Sequence, residues 1–176
     1  MKNVVANNSH YKQGLYIPKY KDKAINKNDR GGYWYRSSLE YKMMIYLDHN
    51  EKVTKWCSEG MEIPYISKEY VDGMVENKRR RYYPDFYYEM QLSDGNIKRV
   101  IAEVKPMSEF NDVVLFQEGK FNVPDKATSK GLKNLEYKFK MAQKNSSKWE
   151  TMIEFCRLKG MHFIVITEEH LKRYGL

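Results

Sequence analysis

Only two cysteines occur in the 176 residues, Cys57 and Cys156, too few and too far apart for a disulfide framework or a cysteine-built zinc site. No apolar run approaches the roughly 18–20 residues that a membrane-spanning helix needs. The stretch from Met1 to Asn8 lacks the continuous apolar segment of a secretion signal. Internal repeats and low-complexity tracts are missing too. These absences point to a soluble protein of a reducing compartment with no membrane contact. What is present suffices for a core: 41 % of residues are hydrophobic and 14 % aromatic, with 15 tyrosines, which excludes disorder as the main state. The length fits a single domain of roughly 100–200 residues.

Acidic residues are outnumbered, 23 Asp and Glu against 31 Lys and Arg, for a net charge of +8. Five of those eight charges fall in residues 1–32, where Lys2, Lys12, Lys19, Lys21, Lys23, Lys27 and Arg30 face only Asp22 and Asp29. This stretch shows neither a helical nor a strand period, so the expectation is a basic N-terminal arm over 1–32 and a single domain over 33–176. Such an arm either meets a polyanion, nucleic acid above all, or serves solubility alone. A second basic cluster, Lys78-Arg79-Arg80-Arg81, runs straight into Tyr82-Tyr83 and is a candidate DNA contact.

Along the chain, Ser37 to about Asn50 carries Leu39, Met43, Met44 and Leu47 on one helical face. Extended segments are expected at Val53–Cys57 and Met61–Ile66, where Pro64 suggests an edge, and a loop over Lys68–Lys78. Two strand-like runs follow, Tyr82–Leu92 and Ile97–Lys105, with Pro106 stopping the second. Residues 107–131 read as irregular, with turns at Glu118-Gly119 and Val123-Pro124-Asp125. One long helix or two near-collinear ones, carrying Leu135, Phe139, Ala142, Ser146, Trp149, Ile153 and Cys156, end at Gly160; a strand over His162–Thr167 and a short helix over Glu168–Tyr174 follow. The class is mixed α/β.

The turn between the two central runs decides whether a site exists. A two-residue turn at Asp94-Gly95 sets Asp85 opposite Val104. A three-residue loop, Ser93-Asp94-Gly95, sets it opposite Glu103 and puts Gly95 at the left-handed position such loops require. Only the second option gathers Phe86, Tyr88, Met90, Val100, Ala102 and Val104 on one face and Asp85, Glu89, Arg99, Glu103 and Lys105 on the other. Two carboxylates and an ammonium on adjacent strands suit a magnesium ion, which prefers oxygen ligands. They equally suit a surface ion-pair ladder. Glu40, in Ser37-x-x-Glu40, is either a capping-box residue or a third acidic ligand. His49, His162 and His170 show no ligand spacing, Lys148 could meet a phosphate but equally suits a solvated helix face, the reading preferred here, and Trp34, Trp56 and Trp149 read as packing residues rather than base-stacking platforms.

Pro84-Asp85, then Glu103-Val104-Lys105, preceded by a helical Glu40, resembles the Pro-Asp…(Asp/Glu)-x-Lys nuclease superfamily. Tyr35-Arg36-Ser37-Ser38-Leu39-Glu40, Tyr46-Leu47-Asp48, Arg81-Tyr82-Tyr83-Pro84-Asp85-Phe86, Ala102-Glu103-Val104-Lys105-Pro106 and Phe163–Glu168 together resemble the head completion nucleases of T-even-type tailed phages, a family related in its core to the end-cleaving subunit of certain transposons. The resemblance implies a restriction-endonuclease-like α-β-β-β-α-β core with a central mixed sheet flanked by helices. It also implies hydrolysis of DNA phosphodiesters with Mg2+, Mn2+ substituting, and no organic cofactor. By the same resemblance Glu40, Asp85 and Glu103 hold metal and Lys105 assists the attacking water. Portal or neck proteins are the implied partners, and the virion head or neck and the host cytoplasm the implied locations. Two other functions stay open: a structural neck or head-closure protein with little turnover, and a transposon-type strand-cleaving subunit.

Overall fold

A computed structural model of the chain describes residues 13–71, 74–121 and 128–176. Two short strands, β1 (Gly14–Tyr16) and β2 (Tyr33–Tyr35), pair antiparallel ahead of helix α1 (Ser38–His49). The helix begins where extended Ser37 accepts a hydrogen bond from the Glu40 amide, 3.1 Å. Its Met43, Met44 and Leu47 are fully buried, as their spacing predicts.

Next come β3 (Val53–Ser58), the hairpin β4 (Ile63–Val71) and β5 (Met74–Tyr82), then β6 (Phe86–Gln91) and β7 (Ile97–Val104). Helices α2 (Met107–Gln117) and α3 (Ser129–Lys159) lead to β8 (His162–Ile166) and helix α4 (Glu168–Arg173). The central sheet has the order β3-β6-β7-β8; its first three strands are antiparallel and β8 runs parallel to β7. Parallel neighbours need a crossover, which α2 and α3 supply. With the β4–β5 hairpin and α2 set aside as insertions, α1, β3, β6, β7, α3 and β8 form the expected α-β-β-β-α-β core.

Helices cover both faces of this sheet. On one, Phe86, Tyr88, Val100, Ala102 and Val104 pack with Met43, Met44 and Leu47 of α1 and Leu171 of α4. On the other, Ile101 packs with Met152 and Cys156 of α3 and with Ile63, Tyr65 and Tyr82 of the hairpin. The segment Val100–Val104 is therefore buried on both sides, and any polar group on it must find partners inside the protein.

Several expectations are corrected. Residues 13–32 are not an arm apart from the core: Tyr16 and Ala24 belong to it, and fully buried Asp48 of α1 accepts from the Tyr16 hydroxyl and Lys19 amide, 2.7 Å each, and the Tyr20 amide, 3.1 Å. Lys2 and Lys12 lie outside the described residues. Lys68–Val71 and Met74–Lys78 are not loop but strands of the hairpin, which pairs from Ile63 with Tyr82 to Val71 with Met74, and the remainder of the expected loop lies outside the described residues. The run Tyr82–Leu92 is two strands, broken at Tyr83-Pro84-Asp85, because proline supplies no ladder hydrogen bond. Met107–Gln117 is a helix, not irregular: Phe110 stacks on Trp149, Val113 is fully buried, and the Glu168 carboxylate accepts from the Met107 amide at 2.8 Å. The turn at Glu118-Gly119 is present, and that at Val123-Pro124-Asp125 lies outside the described residues. In α3, Ile153 is exposed and Met152 takes the buried place. Gly160 ends that helix at φ +61, the left-handed turn that suits glycine.

Candidate active site

The geometry of the site follows from the β6–β7 register. Phe86 pairs with Ala102, Tyr88 with Val100 and Gln91 with Ile97. Leu92 receives the Gly95 amide across the loop and donates to Asn96, and Gly95 has φ +86, so the connection is the three-residue loop Ser93-Asp94-Gly95. One more step of the register sets Asp85 opposite Glu103. Alternation then sends both side chains, and Lys105 beyond them, to the face that α3 covers.

Glu103 is 2 % exposed and still fully engaged. One carboxylate oxygen accepts from the Tyr82 hydroxyl, and the other lies 3.2 Å from Lys105 Nζ. Asp85 accepts from the Val104 amide at 2.7 Å, while its carbonyl accepts from the Glu59 amide at 3.0 Å. Burial first, and the charge of Glu103 second, push the Asp85 carboxyl up to about 8. Burial works against the charge on Lys105, but Glu103 and Asp85 outweigh it and hold the ammonium above its ordinary range. Burial also raises Tyr82, with Glu103 adding to it. Asp85, Glu103 and Lys105 are thus one electrostatic unit, in which two carboxyl groups in a low-dielectric place are opposed by a single ion-paired lysine.

The remaining sequence candidates fall in different places. Glu40 folds back on the start of its helix: its oxygens accept from the Arg36 amide at 2.8 Å and the Ser37 hydroxyl at 3.0 Å. Even so, its charge adds to the forces that raise Asp85. Among the described residues no group of three or more His, Cys, Asp or Glu side chains gathers as a ready ligand shell. The basic cluster lies on β5, not on a loop, and alternation splits it. Lys78 and Arg80 share a face with Glu69 and Glu76 and are ion-paired to them at 2.8–3.3 Å. Arg79 and Arg81 point the other way. Arg81 has a loose partner in Glu62, 3.6 Å, and Arg79 has no ion pair among the described residues.

Two further neighbours complete the site; one was not singled out from sequence, and the other was read there as a residue of a solvated helix face. Tyr82 ends β5 and reaches Glu103 across the break at Pro84; no sequence period spans such a break, so nothing in the pattern signals it. Lys148 of α3, placed by its sequence on a solvated face, is half-buried with Nζ 4.8 Å from the Tyr82 ring centre. Its position beside Trp149 of the apolar stripe was the available hint. Trp56 and Trp149 are packing residues as expected, whereas Trp34 is 50 % exposed with the Arg30 guanidinium 5.6 Å from its ring.

Residues 50–168 match the family described as TnsA-like endonuclease, N-terminal. Over 162 residues, 92 % of this chain and 95 % of the relative, the sequence is 26 % identical to the head completion nuclease of Enterobacteria phage T4.

Proposed function

The chain belongs to the TnsA-like endonuclease N-terminal family, and from that footing we propose that it is a magnesium-dependent endonuclease hydrolysing DNA phosphodiesters during completion of a phage head after packaging. The observation that carries this reading is the buried juxtaposition of Asp85, Glu103 and Lys105. Two carboxylates crowded until one resists ionisation are a donor set of hard oxygens that a divalent cation would relieve. Asp85 and Glu103 would hold the ion, with Glu40 as a third acidic group on turning out of its cap. The ion, Mg2+ or Mn2+, would supply Lewis-acid stabilisation of charge on the phosphate and lower the pKa of a bound water. Lys105, tied to Glu103, stands where it would orient the attacking water and offset phosphate charge. Tyr82 fixes the other Glu103 oxygen and so sets the direction in which that carboxylate presents itself.

The phage-head role, rather than a transposon strand-cleaving subunit, is favoured by the near-complete coverage of the phage T4 relative. Portal or neck proteins are the partners this role requires, and assembling heads in the host cytoplasm, then the virion neck, the places. The test is incubation of linear and supercoiled DNA with Mg2+, Mn2+ or EDTA, comparing wild type with Lys105→Ala and Glu40→Gln. Cleavage with either metal, none in EDTA, and a loss of at least about 100-fold in Lys105→Ala are expected. Glu40→Gln preserves the cap, so unchanged activity would remove Glu40 from the acidic set. A wild type inert with both metals would favour the structural head-closure reading.

A further inference from the structure

Lys148 departs from the pattern of the other site residues. Asp85, Glu103, Tyr82 and Lys105 all have hydrogen-bonding or ion-pairing partners, whereas Lys148 Nζ makes neither kind of contact among the described residues. Its neighbour is the face of Tyr82, 4.8 Å away, and that ring is held in place by the hydroxyl's bond to Glu103. A half-buried ammonium seated on an aromatic ring is only partly compensated, since a cation–π contact supplies no hydrogen-bond acceptor. The Glu103 charge reaches it, but so does the opposing charge of Lys105.

The surroundings say what would complete it. Lys144 and Lys140 lie one and two turns back along the same face of α3, at about 6 Å per step. Lys144 and Lys140, the latter ion-paired to Glu136 at 2.6 Å, line a cavity of about 390 Å³ together with Lys68 of β4, and Glu69 is the one acid on that lining. A basic path thus leads along α3 to the carboxylates and ends at Lys148. A chain of regularly spaced anions suits such a path better than a single small anion.

We infer that Lys148 is a phosphate-binding residue of the site, its ammonium held on the Tyr82 ring to receive a non-bridging oxygen of the DNA backbone at or next to the bond that is cut. This rests on the nuclease reading for the word "cut", but not for the contact. Charge arithmetic agrees. With both carboxylates ionised around a divalent cation, Asp85, Glu103, Lys105, Lys148 and the ion would sum to a double positive charge, which would meet the growing negative charge of a phosphodiester under attack.

The test uses the full chain and two readouts, single-turnover cleavage at saturating duplex and the salt dependence of duplex binding without a divalent cation. Lys148→Met keeps the stem and removes the charge; Lys148→Arg keeps the charge over the ring. Lys148→Met is expected to cleave about 100-fold more slowly and to lower the slope of log K against log salt by about one phosphate contact. Lys148→Arg should stay within about tenfold of wild type and keep the slope. Should the methionine variant melt early, Lys148→Gln gives the same reading. A wild type that cleaves while Lys148→Met retains both rate and slope overturns the assignment, as does equal damage in the arginine and methionine variants. A wild type that never cleaves, with the slope still falling in Lys148→Met, overturns the nuclease reading and leaves the phosphate contact standing.

Discussion

Asp85 carries the strain of the site, and its titration gives that strain a measurable consequence. Its folded-state value, about 8, lies above the ordinary 3.8, so the folded protein holds this proton more tightly than the unfolded chain. The associated stability is complete below about pH 4 and is lost as pH rises through about 8. Lys105 titrates higher still and does not intrude in that window. Without divalent cations, the wild type should therefore melt lower at pH 9 than at pH 6. Asp85→Asn, which keeps an acceptor for the Val104 amide, should remove most of that fall and melt about 3–6 °C above wild type at pH 9. Calorimetric scans of both proteins across this range check it; parallel pH profiles would mean that Asp85 is not the strained group. At this scale the sequence was informative where chemistry and spacing coincide, as at Asp85, Glu103 and Lys105. Glu40 shows the limit: the pattern that makes it a capping residue is the same pattern that puts it near a site, and only the structure shows its oxygens on Arg36 and Ser37.

The β6–β7 hairpin was legible because hydrophobic alternation and turn chemistry agreed on one register. The β4–β5 ribbon was not, because Lys68, Glu69, Glu76, Asn77 and the run Lys78–Arg81 show no apolar alternation to mark a strand. Its stability comes instead from packing of Ile63, Tyr65 and Tyr82 at its base and from cross-strand ion pairs. Helix α2 was hidden for a different reason: Pro106, read as the end of a strand, is also the N-cap of the helix that follows. Once placed on a ribbon, the four basic residues stop being equivalent. Lys78 and Arg80 already have carboxylate partners on their own face, so duplex binding should depend more on Arg79 and Arg81. Removing both arginines is expected to weaken duplex affinity about tenfold at moderate salt, and removing Lys78 and Arg80 threefold or less. Filter binding at two salt concentrations decides; the reverse order would mean that the ribbon meets DNA with its inner face.

For the whole molecule, the organising fact is that Val100–Val104 of β7 is buried on both faces while carrying a carboxylate. Helix α1 and α4 on one side and α3 on the other make a place dry enough to raise Asp85, and the Tyr82 hydroxyl and Lys105 supply the partners that Glu103 needs there. The class and core order were readable from the succession of periods. The docking of residues 13–32 was not, because its anchor is a single buried aspartate, Asp48, gathering hydroxyl and amide donors rather than an apolar stripe. The basic composition that suggested a free arm belongs partly to a segment held against the domain. On the proposed function, Asp85 and Glu103 serve phosphodiester hydrolysis. The most direct measurement is conversion of supercoiled DNA to nicked and linear forms in Mg2+ by wild type and Asp85→Asn side by side, with both proteins shown to be folded by circular dichroism. Conversion by the wild type and a loss of at least about 1000-fold in Asp85→Asn are expected. Equal conversion by the two proteins would contradict the proposed function.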